Sequence, residues 1–225
     1  MPEINSLERA ANQVQLTATI LAAGMGQRLG GRAKATLQIN GISLLERQIS
    51  ALQSVGIASI SVVVGPYRDQ LMPLISKCGA VAVTHHHASA SLVDSQRLAL
   101  DAQLSAPVLQ ADKDLLLVLA GLPLLQARDI MPLASAWHQR ASSVHALLPV
   151  VNEVRGHPLF LSSYAIKKIA YLNRGVGIRE WLQKNPELVC KWVTNNHSYI
   201  TDVDTPEDVL NLQALLYPMP VCWPS

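Results

Sequence analysis

Between Leu21 and Lys34 the chain reads Leu-Ala-Ala-Gly-Met-Gly-Gln-Arg-Leu-Gly-Gly-Arg-Ala-Lys. Gly24, Gly26, Gly30 and Gly31 remove Cβ atoms where a backbone must turn sharply and lie against a ligand. Amides exposed on such a turn form an anion-binding concavity, and Arg28 and Lys34 add fixed positive charge beside it. That chemistry suits a triphosphate; the same composition also suits an ordinary Gly-rich turn with solvated basic residues. A second group lies near the C-terminus, at Asp202-Val203-Asp204. Alternate residues of an extended chain point the same way, so the two carboxylates can offer oxygen ligands to one hard cation. The residues that follow, Thr205-Pro206-Glu207-Asp208, are a helix start: a cap, a proline in the first turn, then two acids at the positive end of the dipole. That local role leaves Asp202 and Asp204 unexplained. Three adjacent histidines, 85 to 87, cannot all reach one ion, because neighbours in an extended chain face opposite sides.

The spacing of the glycine segment excludes two common phosphate loops. A Walker loop ends in Gly-Lys-Ser/Thr, whereas Lys34 lies between Ala33 and Ala35. A dinucleotide fingerprint needs a third glycine where Arg28-Leu29 stands, and an acid about 20 residues on. The nearest acid of that kind, Glu46, falls inside a helical pattern.

The positioning elements alternate. Leu16 to Leu21 is an apolar, β-branched run that reads as a buried strand and ends where the glycines begin. Ser59–Val64, Ala80–Thr84 and Leu115–Ala120 read likewise. Helical patterns intervene at Ser43–Val55 (apolar at 44, 45, 49 and 52, with Gly56 at its end), Asp69–Cys78, Ser91–Leu104 and Ala127–Arg140. Val144–Val150 and Pro158–Leu161 are further strands that introduce a mixed or antiparallel element. Repeated βα units predict an α/β, Rossmann-like three-layer domain over residues 16–216, with a mostly parallel, partly mixed sheet. Ligands of such sheets gather at the strands' carboxyl ends, here the loops after Leu21, Val64, Thr84 and Ala120. Residues 1–15 read as a polar extension. Residues 217–225, with three prolines, read as an irregular tail.

Composition bounds the partners. Hydrophobic residues are 49% and charged residues 15% of the 225. With a single Phe, the core must be Leu, Ile, Val and Ala, as interior parallel strands usually are. A net charge of +2 argues against nucleic acid or a membrane surface as partner. Cys78, Cys190 and Cys222 are too scattered for a disulfide framework or a zinc motif, and read as reduced thiols, the last exposed near the tail. No secretory h-region or membrane-length apolar run is present, which predicts a cytoplasmic protein.

The Leu21–Lys34 segment resembles the signature Leu-Ala-Ala-Gly-x-Gly-x-Arg-x-Gly, followed by Lys, of MobA-like NTP transferases. These are nucleotidyltransferases with a glycosyltransferase-A-type, nucleotide-diphospho-sugar transferase fold. The likeness continues through Leu37–Glu46, which is similar to that family's short hairpin and following helix. It implies nucleotide binding by Leu21, Ala22, Ala23, Gly24, Gly26, Arg28 and Lys34, with Arg28 and Lys34 acting on the phosphates. In the family a Ser-Leu pair opens a helix beside the base; Ser91-Leu92 matches it, so Ser91 either contacts the base or caps the helix. Arg155-Gly156-His157-Pro158 and the Gly177 and Arg179 of Asn173–Arg179 resemble segments of the branch that works on molybdenum cofactor. There the resemblance implies that His157 and Arg179 bind a phosphorylated, molybdopterin-like acceptor. On the residues alone, Gly156 starts a strand, His157 is half-buried and Arg179 pairs with Glu180 or Glu187 on a surface helix.

The resemblance further implies Mg²⁺ at Asp202 or Asp204, GTP or CTP as donor, and a molybdoenzyme or maturation factor as protein partner. Two positions depart from it. Gly121, in Gly121-Leu122-Pro123-Leu124, stands where the family has its metal-binding Asp, and Gly175 replaces a second acid. Loss of a metal carboxylate should weaken a reaction that depends on neutralising triphosphate charge. The expected activity is therefore NMP transfer to a phosphorylated acceptor with release of pyrophosphate. The alternatives are a sugar-1-phosphate or choline-phosphate nucleotidyltransferase, and a catalytically weakened nucleotide- or cofactor-binding maturation factor.

Overall fold

A computed structural model describes residues 16–85, 90–106, 113–173 and 175–224. The expected N-terminal extension, together with His86 and His87, lies outside these residues. The strand that leads into the glycine loop is β1 (Leu16–Ala22), buried along nearly its whole length. It is flanked in parallel by β4 (Ile60–Val64) and β6 (Asp114–Leu119). Beyond β4 lies β5 (Val81–Thr84), also parallel. On the other side β9 (Leu159–Leu161) runs antiparallel between β6 and β7 (Ala146–Val151). Then comes β10 (Val189–Val193), parallel to β7. The order is β10-β7-β9-β6-β1-β4-β5, with β8 (Val154–Arg155) folded back on β7. The mixed, mostly parallel sheet expected from the sequence is present, its antiparallel members being β9, in the Pro158–Leu161 segment, and the short β8.

Successive residues of a strand face opposite layers, and the core divides accordingly. Leu116 and Val118 join Ile20, Val62 and Val64 beneath α1 (Leu44–Ser54), α2 (Arg68–Lys77) and α4 (Ala127–His138). Leu115 and Leu117 join Leu21 and Val63 beneath α3 (Leu92–Leu104), α5 (Ser163–Ala170) and α6 (Ile178–Lys184). This is the three-layer α/β arrangement. At the amino end of β6, away from the glycine loop, the buried Asp114 carboxylate accepts from Trp137 Nε1 (3.0 Å), Arg140 Nη2 (2.8 Å) and the Ser163 amide (3.0 Å). A buried carboxylate is tolerable only with such a full set of partners.

A small second sheet shapes the mouth of the glycine loop. The hairpin β2 (Gln38–Ile39) and β3 (Ile42–Ser43) turns at Asn40-Gly41, both at positive φ (53° and 77°), as a tight hairpin turn requires. The tail, read from sequence as irregular, contributes β11 (Val221–Cys222), paired antiparallel with β2. Val221 is buried with Leu37, Leu44, Val203 and Leu212, the last from α7 (Pro206–Leu216). Three prolines hid a strand of two residues whose partner is far away in sequence. No described helix is long and apolar enough to cross a membrane.

Candidate active site

The glycine loop opens at the carboxyl end of β1 over a pocket of about 360 Å³. Gly26 has φ 56° and closes the turn, its carbonyl accepting from the Leu29 (2.8 Å) and Gly31 (3.0 Å) amides. A Cβ at Gly26 would fall on the Arg32 carbonyl. Gly24 has no such neighbour and faces the open pocket. The loop after β4 does not line the pocket but supports it from behind. Gly65 packs so closely that a Cβ would sit 2.9 Å from the Ala23 carbonyl, and Tyr67 Oη donates to the Met25 carbonyl (2.8 Å).

The carboxylates arrive from the other end of the chain. The Val203 amide donates to the Gly121 carbonyl (3.1 Å), laying residues 202–204 along the end of β6, and Val203 is buried under the small sheet. Asp202 and Asp204 then flank it on the pocket side. Lys34 Nζ donates to both, at 2.8 Å to Asp202 Oδ1 and 2.5 Å to Asp204 Oδ1, and Arg28 Nη2 reaches Asp204 Oδ2 at 3.0 Å. Burial by itself would raise the Asp204 carboxyl; hydrogen bonds and charge from Lys34 and Arg28 outweigh that and hold it below its usual range. The helix start at Thr205 is as the sequence indicates. Thr205 caps α7 with Asp208 in a reciprocal box, and Asp208 Oδ2 also accepts from the Asp204 amide (2.9 Å).

Every nucleotide residue expected from sequence, Leu21 to Gly24, Gly26, Arg28, Lys34 and Ser91, lines this one pocket, and Asp202 and Asp204 complete it. Ser91 also caps α3, accepting from the Asp94 amide (3.2 Å) and donating to its carboxylate (2.7 Å). Both roles considered for it are geometrically compatible. Sequence reasoning missed Ser95, one turn further on, whose hydroxyl donates to the Ser91 carbonyl (3.1 Å) and meets His85 Nε2 (3.0 Å). Helical spacing from Ser91 was the signal. Gly121 lines the pocket too, at the expected strand end.

His157 and Arg179 come together in a second cavity of about 550 Å³. Its floor is apolar (Leu148, Leu159, Ile178, Leu182) and its rim polar, with Arg155, Glu153, Gln96 and Gln183 beside them. Arg155, two residues before His157, brings a second guanidinium to this cavity. The His157 amide donates to the Tyr199 carbonyl (2.9 Å), and Gly156 is needed there because a Cβ would lie 2.6 Å from that oxygen. Tyr199 is anchored in turn by its hydroxyl on the Asp129 carbonyl (2.7 Å). Burial lowers the pKa of His157, against the pull of the Leu117 carbonyl and the Asp202 charge, so the imidazole is neutral at pH 7. The consecutive α3 residues Ser95 and Gln96 line the nucleotide pocket and the second cavity respectively, so the two cavities lie side by side. Arg179 is carried on α6, whose approach is set by Arg97: Nη2 donates to the carbonyls of Leu172 (2.8 Å), Asn173 and Val176 (2.9 Å). Glu180, one considered partner of Arg179, instead accepts from the Gly177 amide (2.8 Å).

The chain belongs to the MobA-like NTP transferase domain family, whose pattern it matches over residues 18–189. Among curated proteins it is 33% identical over 82 residues to 2-aminoethylphosphonate cytidylyltransferase of Lancefieldella rimae, covering 35% of this chain and 33% of that one. It is 28% identical over 175 residues to the bifunctional protein GlmU of Sorangium cellulosum, covering 76% of this chain and 35% of that one. The chain thus spans about a third of the length of the curated relatives it matches. In fold it is similar to Rv0371c of Mycobacterium tuberculosis H37Rv, with TM-score 0.73 at 19% identity, covering 89% and 98% of the two chains. A second structure of that protein, a complex with manganese, matches with TM-score 0.69 at 18% identity over 89% and 98%.

Proposed function

We propose that this chain transfers a nucleotidyl group from a nucleoside triphosphate, with CTP the first choice, to a phosphorylated pterin-like acceptor of the molybdopterin type. The carrying observation is the pair of adjoining cavities. One is walled by a glycine loop with two cations; the other has an apolar floor, two arginines and a neutral imidazole. An acceptor phosphate oxygen attacks the α-phosphorus in line; as that P–O bond forms, the bond to the β-phosphate oxygen breaks and pyrophosphate leaves with its electron pair. Such a step asks for positioning and charge stabilisation rather than a covalent nucleophile. The Leu21–Gly26 backbone orients the phosphates, and Arg28 and Lys34 stabilise the charge that grows on the leaving group. Arg155 and Arg179 hold the acceptor's anionic end, and His157, neutral, orients it without adding charge.

Mg²⁺ fits the donor set. Asp202 and Asp204 are hard oxygen ligands aimed at one point, where a positive group, the Lys34 ammonium, is already held. Among the described residues no three His, Cys, Asp or Glu side chains gather to hold an ion alone, so water and phosphate oxygens would complete the shell. Bound there, Mg²⁺ would neutralise phosphate charge. The manganese complex of the mycobacterial relative is consistent with a divalent ion.

CTP is favoured by the cytidylyltransferase of Lancefieldella rimae. The acceptor of that enzyme, by its name an aminoalkyl phosphonate, is the second candidate; the cavity of about 550 Å³ with four aliphatic floor residues suits a planar heterocycle better than a two-carbon chain. The test is pyrophosphate release with CTP and GTP against molybdopterin, 2-aminoethylphosphonate, phosphocholine and a sugar 1-phosphate. CTP with molybdopterin should give the highest kcat/KM. Turnover confined to the small phosphonate or the sugar phosphate would replace the acceptor assignment. Nucleotide binding with no pyrophosphate from any pair would make the chain a binding or maturation module.

A further inference from the structure

Gly121 stands at the end of β6 against the Lys34–Asp202 pair, and the site around it explains the glycine. Its φ lies outside the left-handed region, so backbone conformation does not require glycine there. Space does. A Cβ at 121 would fall on Asp202 Oδ1 and on Lys34 Cδ, with Lys34 Nζ only 2.6 Å away. Lys34 therefore lies across the end of β6, its stem over Gly121 and its ammonium between the two carboxylates. Its side chain is 24% exposed, against 69% for Arg28.

We propose that Lys34 is a tethered cation that closes the Asp202–Asp204 pair in the nucleotide-free protein, and that Gly121 is the notch that seats it. Two carboxylates aimed at one point repel unless a positive charge stands between them. Here that charge is part of the chain. A divalent ion entering alone must displace a half-buried ammonium that donates to both acids. A triphosphate changes the balance, because its oxygens offer the ammonium another partner within reach of a flexible four-carbon stem. Nucleotide and metal then bind as an exchange: Lys34 passes from carboxylates to phosphates, and the divalent ion takes its place between Asp202 and Asp204. Each ligand thereby raises the affinity of the other, as linkage requires. Arg28 holds only the outer oxygen of Asp204 and leaves Asp202 untouched, so it cannot act as the latch. This inference rests on the nucleotide-site reading above, but its test uses no nucleotide.

The experiment titrates the full chain with Mn²⁺ alone and reads free ion by electron paramagnetic resonance. Wild type should bind weakly, and Lys34→Met should bind tighter by on the order of tenfold or more, the effect of removing a competing charge a few ångströms from the ion. Arg28→Met, which removes a charge but not the latch, should gain far less. Lys34→Gln, which keeps much of the stem and removes the charge, should move affinity in the same direction as Lys34→Met, whereas Gly121→Ala, whose Cβ would fall on Asp202 Oδ1 as well as on Lys34, displaces ligand and latch together and should show no such gain. Asp202→Asn added to Lys34→Met should abolish the gain. Equal affinities for wild type and Lys34→Met, no Mn²⁺ binding by either, or equal gains for Lys34→Met and Arg28→Met would overturn the latch. The Lys34→Gln arm keeps the test decisive if Lys34→Met folds poorly. A chain that shows this pattern yet releases no pyrophosphate retains the latch and loses the catalytic reading; turnover without the pattern does the reverse.

Discussion

The imidazole of His157 resists protonation in the folded chain, since burial lowers its pKa from the ordinary 6.5. The unfolded chain takes up that proton more readily, so between the two pKa values it binds more protons than the folded one. Stability therefore rises with pH across that window. The contribution is complete above about 6.5 and is lost as pH falls towards the folded value. His157→Gln should flatten the fall in thermal midpoint between pH 7 and pH 5; a parallel fall in both proteins would refute the assignment. Asp204 follows the same sign in a lower range: its depressed pKa contributes stability that is complete above the ordinary 3.8 and is lost as pH falls through the folded value. At Lys34, loss of its charge-assisted hydrogen bonds should weaken nucleotide binding by about 1.5–3 kcal/mol in Lys34→Ala. Isothermal titration with CTP reads this directly. The sequence pointed to Lys34, Asp202 and Asp204 separately, through a phosphate loop and an alternating pair. That they touch was not legible, because 168 and 170 residues separate the partners and no local rule spans that distance.

Turns and caps act at the scale of single elements, and there the sequence was most readable. Ser91 and Thr205 announce their helices because capping chemistry is local, and both cap as expected. Thr205→Ala should cost about 0.5–2 kcal/mol by urea unfolding. The two loop glycines that line the pocket, Gly24 and Gly26, should separate by mechanism. Gly26→Ala forces a side chain into φ 56° and onto the Arg32 carbonyl, so it should destabilise by at least about 1–2 kcal/mol. Gly24→Ala meets no neighbour; it should leave the thermal midpoint unchanged and instead lower CTP affinity, because its methyl enters the pocket. Equal stability losses would mean the loop is not built this way. What the sequence concealed were elements held by distant partners. β11 is two residues long and pairs with β2 across the chain, and the Arg97 clamp that orients α6 recognises carbonyls, which carry no sequence signal.

For the molecule as a whole, the fold sets two cavities next to each other, with α3 lining both and different strands completing each. The nucleotide pocket stands on β1, β6 and the 202–204 segment; the second cavity stands on β7, β8, β9 and α6. Among the described residues Arg179 and Lys34 share no hydrogen-bond partner, and substitutions at well-separated sites without shared partners add to within a few tenths of a kcal/mol. Lys34→Ala should therefore depress kcat/KM for every acceptor by one common factor. Arg179→Ala should raise the acceptor KM while CTP binding, read as ligand-induced thermal stabilisation, stays at the wild-type value. The double variant should lose the product of the two factors. A double loss well short of that product would mean the cavities form one shared site. A drop in CTP stabilisation in Arg179→Ala would place this arginine on the triphosphate rather than on the acceptor.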